Sequence, residues 1–161
     1  MKANQIFAAM ELDHATELFR KVKETSPSTF QNATAAACGA LKIRPVYMNK
    51  QPFEKRVSSV RRALSLVVAG PIAEEMLAVY FLECRKELLI EWLDLTKTEH
   101  EDGTLKAEQP PEPAEAELAT SVASFLAADD DRDRGLLLRA FSAQSAVDWP
   151  KLDALLDAPD A

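Results

Sequence analysis

The chain has 161 residues, of which 47% are hydrophobic and 28% are charged, and its formal net charge is -7. This length suffices for a hydrophobic core without disulfide staples, and the composition is typical of a soluble globular domain. Only 4 glycines are present and the 9 prolines fall mostly between candidate helices, which disfavours a fold of many short strands. We therefore predict an all-α protein.

Three helical segments are predicted in the first part of the chain. Residues 3–24 form one helix or two short ones, because apolar side chains recur there at helical spacing. Residues 29–41 form an alanine-rich helix whose small side chains allow a neighbour to pack closely. Residues 42–51 are predicted to be a connection, since Pro45 ends the preceding helix. Pro52 opens a third helix. The inner face of this third helix is predicted to carry Phe53, Val57, Val60, Leu64 and Val67.

The most apolar stretch of the chain runs from Pro71 to Leu95, with no helix breaker after its first residue. Its apolar side chains follow one another at steps of three or four, which places them on one helical face. These side chains include Leu77, Phe81, Cys84, Leu88, Trp92 and Leu95. We predict that this stretch is the central helix of a single compact domain of about six or seven helices.

The whole chain, residues 1–161, is predicted to form that domain in three parts. Residues 1–98 are the main helical core, and residues 99–113 are a proline-rich connection. Residues 114–157 supply C-terminal helices that pack back on the core, and the tail from Asp157 onward is expected to be frayed.

Cysteine usage and hydropathy indicate a reducing, aqueous location. Cys38 and Cys84 lie far apart in apolar helical contexts, so we expect buried free thiols rather than a disulfide or a metal site. Acidic residues follow the N-terminal apolar patch at once, unlike a secretory signal. The longest uninterrupted apolar run is too short to span a bilayer. A cytoplasmic protein without membrane association is predicted.

No pattern in the sequence predicts catalysis. There is no glycine-rich phosphate loop, nucleophile elbow or paired CxxC motif. His14 and His100 each have acidic neighbours, but neither belongs to the two-histidine spacing of a zinc site. Glu83, Glu87 and Glu91 recur every four residues without the Glu-x-x-His pair of a di-metal bundle, so we expect a solvated face. No catalytic residue, metal site or cofactor is predicted.

The uneven charge distribution is the most informative functional feature. Residues 42–62 contain seven basic side chains and one acidic one, whereas residues 99–161 contain five basic and fifteen acidic ones. Cations interleaved with aromatic rings are typical of nucleic-acid surfaces. The candidate binding residues are Lys42, Arg44, Tyr47, Lys50, Lys55, Arg56, Arg61 and Arg62. These cations could instead pair with the chain's own acidic C-terminal part, or contact a protein partner.

We predict that the protein is non-enzymatic and acts by binding another macromolecule, through a protein partner or self-association. The alternative is nucleic-acid binding through the basic segment, and a third hypothesis is an enzyme or metal protein centred on His14 or His100. Trp92 and Trp149 are expected to be core residues, although exposed tryptophans would mark an interface.

Overall fold

A computed structural model describes residues 1–158 and consists almost entirely of helices. The predicted all-α class is confirmed. Ten α-helices occur among these residues, more than the six or seven predicted, because proline and short irregular turns divide several predicted helices. Residues 159–161, which belong to the tail predicted to be frayed, lie outside the described part.

Close contacts group the chain into two compact units. The N-terminal unit contains Lys2–Cys84, and the C-terminal unit begins at Arg85 and includes Met1. The predicted three-part division of one domain is not tested by this grouping and stays a prediction.

The N-terminal unit contains six α-helices. They are α1 (Ala3–Ala9), α2 (Leu12–Thr25), α3 (Pro27–Leu41), α4 (Pro45–Lys50), α5 (Phe53–Leu64) and α6 (Gly70–Val79). A 3-10 turn at Val67–Ala69 separates α5 from α6, and a π-helical turn at Tyr80–Cys84 follows α6. Residues 3–24 were predicted to form one helix or two short ones, and the structure has two helices there.

An aromatic chain runs through this unit. The ring of Phe7 stacks on Phe19 with centroids 5.8 Å apart, and Phe19 lies 6.1 Å from Phe30. Phe30 in turn lies 5.9 Å from Phe53 on α5. The buried small residues of α3, Ala33 and Ala37 among them, leave room for α2 and α5 to pack closely. The expected close packing of α3 is confirmed.

The predicted central helix from Pro71 to Leu95 is not continuous. Its α-helical geometry ends at Val79, and Arg85 has φ -131° and ψ 43°, which breaks the helix before α7 (Lys86–Leu95) begins. The apolar periodicity persists across the break because each half buries its own face. Residues up to Phe81 are buried in the N-terminal unit, and residues from Leu88 are buried in the C-terminal unit.

Up to residue 158, where the described part ends, the C-terminal unit consists of four α-helices and a small hairpin. After α7 come β1 (His100–Glu101), β2 (Thr104–Leu105), α8 (Glu115–Ala127), α9 (Arg132–Ser142) and α10 (Pro150–Asp157). The strands pair antiparallel, with His100 opposite Leu105. Both turn residues have positive φ, 50° at Asp102 and 89° at Gly103, as a two-residue hairpin turn of type I′ requires.

Both tryptophans lie in the core of this unit, as predicted. Trp92 is fully buried between Phe125 and Phe141, and Phe141 contacts Trp149 edge-on at 5.0 Å. The indole nitrogen of Trp149 donates a hydrogen bond of 2.9 Å to the carbonyl of Pro110. This bond fixes the proline-rich connection against the C-terminal helices.

No single helix among the described residues is long and apolar enough to cross a membrane. The helical segments Phe53–Leu64 and Val67–Cys84 meet the length and composition criteria only as a pair, and that pair is bent by 96°.

Candidate binding surface

The basic segment surrounds a short helix that the sequence did not predict. Residues 42–51 were expected to form a connection, but Pro45–Lys50 is helix α4. Proline suits the first helical turn because that position needs no backbone N–H donor, so Pro45 begins a helix as well as ending the one before it. Lys42 separates α3 from this helix with a left-handed φ of 54°.

Helix α4 presents a cationic and aromatic face to solvent. Arg44, Tyr47 and Lys50 recur every three residues and are all exposed, with Tyr47 exposed to 61%. Val46 beside them is exposed to 67%. Met48, the buried residue of α4, anchors the helix to the unit.

On α5 the candidate cations divide by role. Lys55 and Arg62, seven residues apart, are both exposed and lie on one helical face. Arg61 is turned inward, where its Nε donates to the carbonyl of Met10 at 2.7 Å and its Nη2 to that of Ala8 at 3.3 Å. Because these carbonyls belong to the unpaired C-terminal end of α1, Arg61 stabilises the fold.

The environment of Arg56 differs both from that of the exposed Lys55 and Arg62 and from that of Arg61. Arg56 is half-buried, its guanidinium carbon lies 5.8 Å from the ring centroid of Phe53, and its Nε is buried without a hydrogen-bond partner. The exposed cations of the basic segment form no ion pair with a carboxylate of the described N-terminal unit; they are Lys42, Arg44, Lys50, Lys55 and Arg62. Their pairing with the acidic C-terminal part of the chain stays a prediction.

An exposed apolar corner lies where α5 ends. Leu66, Val67 and Val68, which we call the apolar corner, are exposed to 39%, 81% and 80%. The sequence placed Val67 on the inner face of the third helix, which is wrong. Helix α5 ends at Leu64, and the following 3-10 turn points both valines outward.

The predicted carboxylate ladder does not exist as one helical edge. The break at Arg85 separates Glu83 from Glu87, so the four-residue spacing no longer aligns these side chains. Glu87 instead accepts a hydrogen bond of 2.6 Å from Nε of Arg85, and Glu91 binds Arg134. Both acidic side chains therefore pair with arginine side chains of the same unit.

Arg85 binds the start of α9. Its guanidinium donates to Asp131 at 2.6 Å and also to Asp133, while Asp131 caps α9 by accepting from the backbone nitrogen of Asp133. Burial opposes the charge of Arg85, but hydrogen bonds to Asp131 and Glu87 raise the pKa of Arg85 above its ordinary value. The same bond holds the pKa of Asp131 below its ordinary value of 3.8.

Arg134 is a buried charged residue, with 5% of its surface exposed. It donates twice to Glu91, at 2.8 and 3.0 Å, and twice to Asp129, at 2.8 and 3.0 Å. Its guanidinium carbon also lies 4.8 Å from the ring centroid of Phe125. A fifth hydrogen bond of 3.2 Å runs from Nη1 to the carbonyl of Phe125, so all five donors of Arg134 are used. This cluster therefore stabilises the unit rather than binding a ligand.

The other titratable candidates also have local partners. Nε2 of His100 lies 2.8 Å from Asp94, and Nδ1 accepts from the backbone nitrogen of Gly103 at 3.1 Å. Both ring nitrogens thus have partners, one in α7 and one in the hairpin turn. His14 on α2 is half-buried. No group of three or more His, Cys, Asp or Glu side chains within residues 1–158 is arranged to hold a metal ion.

The cysteines are free, as predicted, but only Cys38 is fully buried. Cys84 is half-exposed in the π-helical turn, and burial raises the pKa of its thiol. A raised pKa reduces the thiolate fraction and therefore the nucleophilicity of this cysteine.

Comparison with protein-family models, curated proteins and solved structures finds no match for this chain.

Proposed function

We propose that this is a non-enzymatic binding protein whose N-terminal unit contacts another protein through the apolar corner. The observation that carries the proposal is the exposure of two adjacent valines, 81% at Val67 and 80% at Val68. Contact between apolar side chains and water is unfavourable. Burial of these two valines in an interface would therefore be favourable through the hydrophobic effect.

The charge beside the corner indicates the chemistry of the partner. Lys55 and Arg62 lie exposed along α5, and Arg62 lies in the last turn of α5, four residues before Leu66. A complementary surface would offer an apolar pocket for the valines and acidic side chains for the two cations. We therefore propose a protein partner with an acidic rim around an apolar pocket. The free thiols support a reducing compartment, and we propose the cytoplasm.

Substitution at the corner tests this proposal. In affinity capture from cell extract, the double variant Val67→Asp and Val68→Asp should lose a protein that the unaltered chain retains. Leu126→Asp is the matched control, because Leu126 is exposed to 43% on α8 and lies outside the corner. A protein retained equally by all three chains would contradict the proposal. Sedimentation of the purified chain distinguishes self-association, which would appear as a corner-dependent dimer.

Nucleic-acid binding is a second candidate, favoured by Tyr47 between Arg44 and Lys50 on the exposed face of α4. The cations would contact phosphates and the tyrosine ring would stack on an unpaired base. Anisotropy titrations with duplex DNA and single-stranded RNA at two salt concentrations test this. Binding that weakens steeply with salt and with Tyr47→Ala would support it, and no binding at low salt would exclude it.

A further inference from the structure

A groove in the N-terminal unit lies beside a cluster of cations that the sequence did not reveal. The groove has a volume of about 510 Å³ and lies between α2, α3, α4 and α5. Its wall includes Phe30, Pro27 and Pro45 as apolar residues, and Lys23 and Arg56 as its cations. This volume is in the range of small-molecule sites, which are mostly apolar with a few polar groups.

Three cations surround the ring of Phe53, and two of them, Lys23 and Arg56, also line this groove. The side-chain nitrogen of Lys23 lies 5.2 Å from the ring centroid of Phe53, and the guanidinium carbons of Arg20 and Arg56 lie 5.6 and 5.8 Å from it. Each cation gains from the ring quadrupole, but the three positive charges repel one another. No ion pair with a carboxylate of residues 1–158 relieves this repulsion.

Arg56 also has a donor without an acceptor. Its Nε is buried and has no hydrogen-bond partner, whereas most buried polar atoms in proteins are satisfied. This nitrogen is closed off from the groove and is not itself a ligand contact. An anion in the groove would instead reduce the repulsion among the three cations.

We propose that the groove binds a small amphipathic anion, a carboxylate joined to an apolar chain or ring. The carboxylate lies between Lys23 and Arg56, and the apolar part packs on Phe30 and the two prolines. The two cations of the wall match a single carboxylate better than a polyphosphate. The rest of the wall is mainly apolar, with Gln31, Thr34 and Asn49 as its uncharged polar residues, which disfavours a purely polar anion. This site is separate from the apolar corner and does not depend on the function proposed for it.

Ligand titration followed by NMR of the full chain tests the proposal, with hexanoate, 1-hexanol, hexylammonium and inorganic phosphate as probes. Hexanoate should cause saturable shifts at the groove, with the other three probes binding more weakly by about tenfold or more. Equal affinity for hexanoate and 1-hexanol, a response to phosphate alone, or no saturable response to hexanoate would overturn it.

Variants locate the site. Lys23→Gln should weaken hexanoate binding on the order of tenfold, whereas Lys21→Gln, an exposed lysine on the same helix that lies over Tyr80, should leave it unchanged. Ala35→Phe should block binding, because Ala35 is exposed and lines the groove, so a larger side chain there fills the space without disturbing the core. Hexanoate binding to Ala35→Phe with unaltered affinity would refute the assignment.

Discussion

At the scale of single residues, the arginines show why charge counts alone do not identify a binding site. Arg61 and Arg62 are adjacent in the sequence and are indistinguishable there as candidates. In the structure Arg61 binds two backbone carbonyls at the end of α1, while Arg62 is exposed. The sequence predicts the basic segment but not this division, because an inward or outward direction depends on where α1 ends.

Arg61 should therefore matter for stability and Arg62 for binding. We expect Arg61→Gln to lower the free energy of unfolding by about 1–3 kcal/mol, since two helix-end carbonyls lose a charged donor. Arg62→Gln should change it by less than about 0.5 kcal/mol, as is usual for exposed sites. Urea denaturation of the two variants measures the difference, and equal values would contradict the role assigned to Arg61.

Arg134 should contribute more to the free energy of unfolding than any exposed cation of the C-terminal unit. Its replacement by Ala removes the donors to Glu91 and Asp129 and the contact with Phe125. Both carboxylates are partly exposed and can be hydrated. We therefore expect the free energy of unfolding to fall by about 2–3 kcal/mol, less than the full cost of a buried unpaired charge.

Arg134→Lys should restore little of this stability, because one ammonium cannot replace the planar guanidinium between two carboxylates. Arg139→Ala, at a half-exposed site in the same helix, is the control in the same urea denaturation experiments. Complete rescue by Lys would show that charge alone, and not the geometry of the contacts, stabilises α9.

The bond between Arg85 and Asp131 predicts a pH dependence. The pKa of Asp131 is lower in the folded chain than its ordinary value of 3.8, so the unfolded chain takes up a proton first on acidification. The stabilisation is therefore present above about pH 4 and is lost as the pH falls through the folded pKa. Asp131→Asn, which keeps the capping ability of the side chain, should be less stable than the unaltered chain at neutral pH.

That difference should shrink as the pH falls from 3.8 through the lowered pKa of the folded chain, below which both chains carry a neutral group at this position. Asp130→Asn, at the exposed neighbouring position, is the control. Unfolding free energies measured across the acidic range check the prediction, and a difference that does not depend on pH would contradict it.

At the scale of elements, the sequence predicts where apolar faces lie better than where helices stop. The run from Pro71 to Leu95 has helical periodicity throughout, yet it is broken at Arg85. Arg85 binds Asp131 and Asp133, which lie far along the chain, and periodicity cannot report such a contact. Similarly, Pro45 was correctly predicted to follow the end of α3 but not to begin α4.

The proline-rich connection acts as a structural element of the C-terminal unit. The carboxylate of Glu112 accepts from the backbone nitrogens of Lys151 and Leu152, at 2.7 and 3.2 Å, and so caps α10 from outside that helix. This cap cannot be predicted from the sequence, because α8 and α9 separate Glu112 from the start of α10.

Replacement of Glu112 by Ala should cost about 1 kcal/mol of unfolding free energy, the usual magnitude for the loss of an N-terminal cap. Hydrogen exchange in the first turn of α10 should become faster, since two backbone donors lose their acceptor. Glu108→Ala, at an exposed position in the same connection, should leave both quantities unchanged. Unaltered exchange in Glu112→Ala would show that the cap does not stabilise the helix.

At the scale of the whole molecule, the net charge of -7 conceals a concentration of positive charge in residues 42–62. Such a distribution attracts an acidic partner toward the N-terminal unit and repels it from the acidic C-terminal part. The sequence alone predicts this uneven distribution of charge. The apolar corner beside it was not predicted, because its exposure depends on α5 ending at Leu64.

Site-specific photo-crosslinking tests the proposed function most directly. A photoreactive amino acid at position 67 should form a discrete adduct with one protein in cells, and Arg62→Glu should reduce the yield because it reverses the adjacent charge. The same group at position 126 should give no such adduct. Adducts that are absent at position 67, or equal at both positions, would contradict the claim that the apolar corner binds a protein partner.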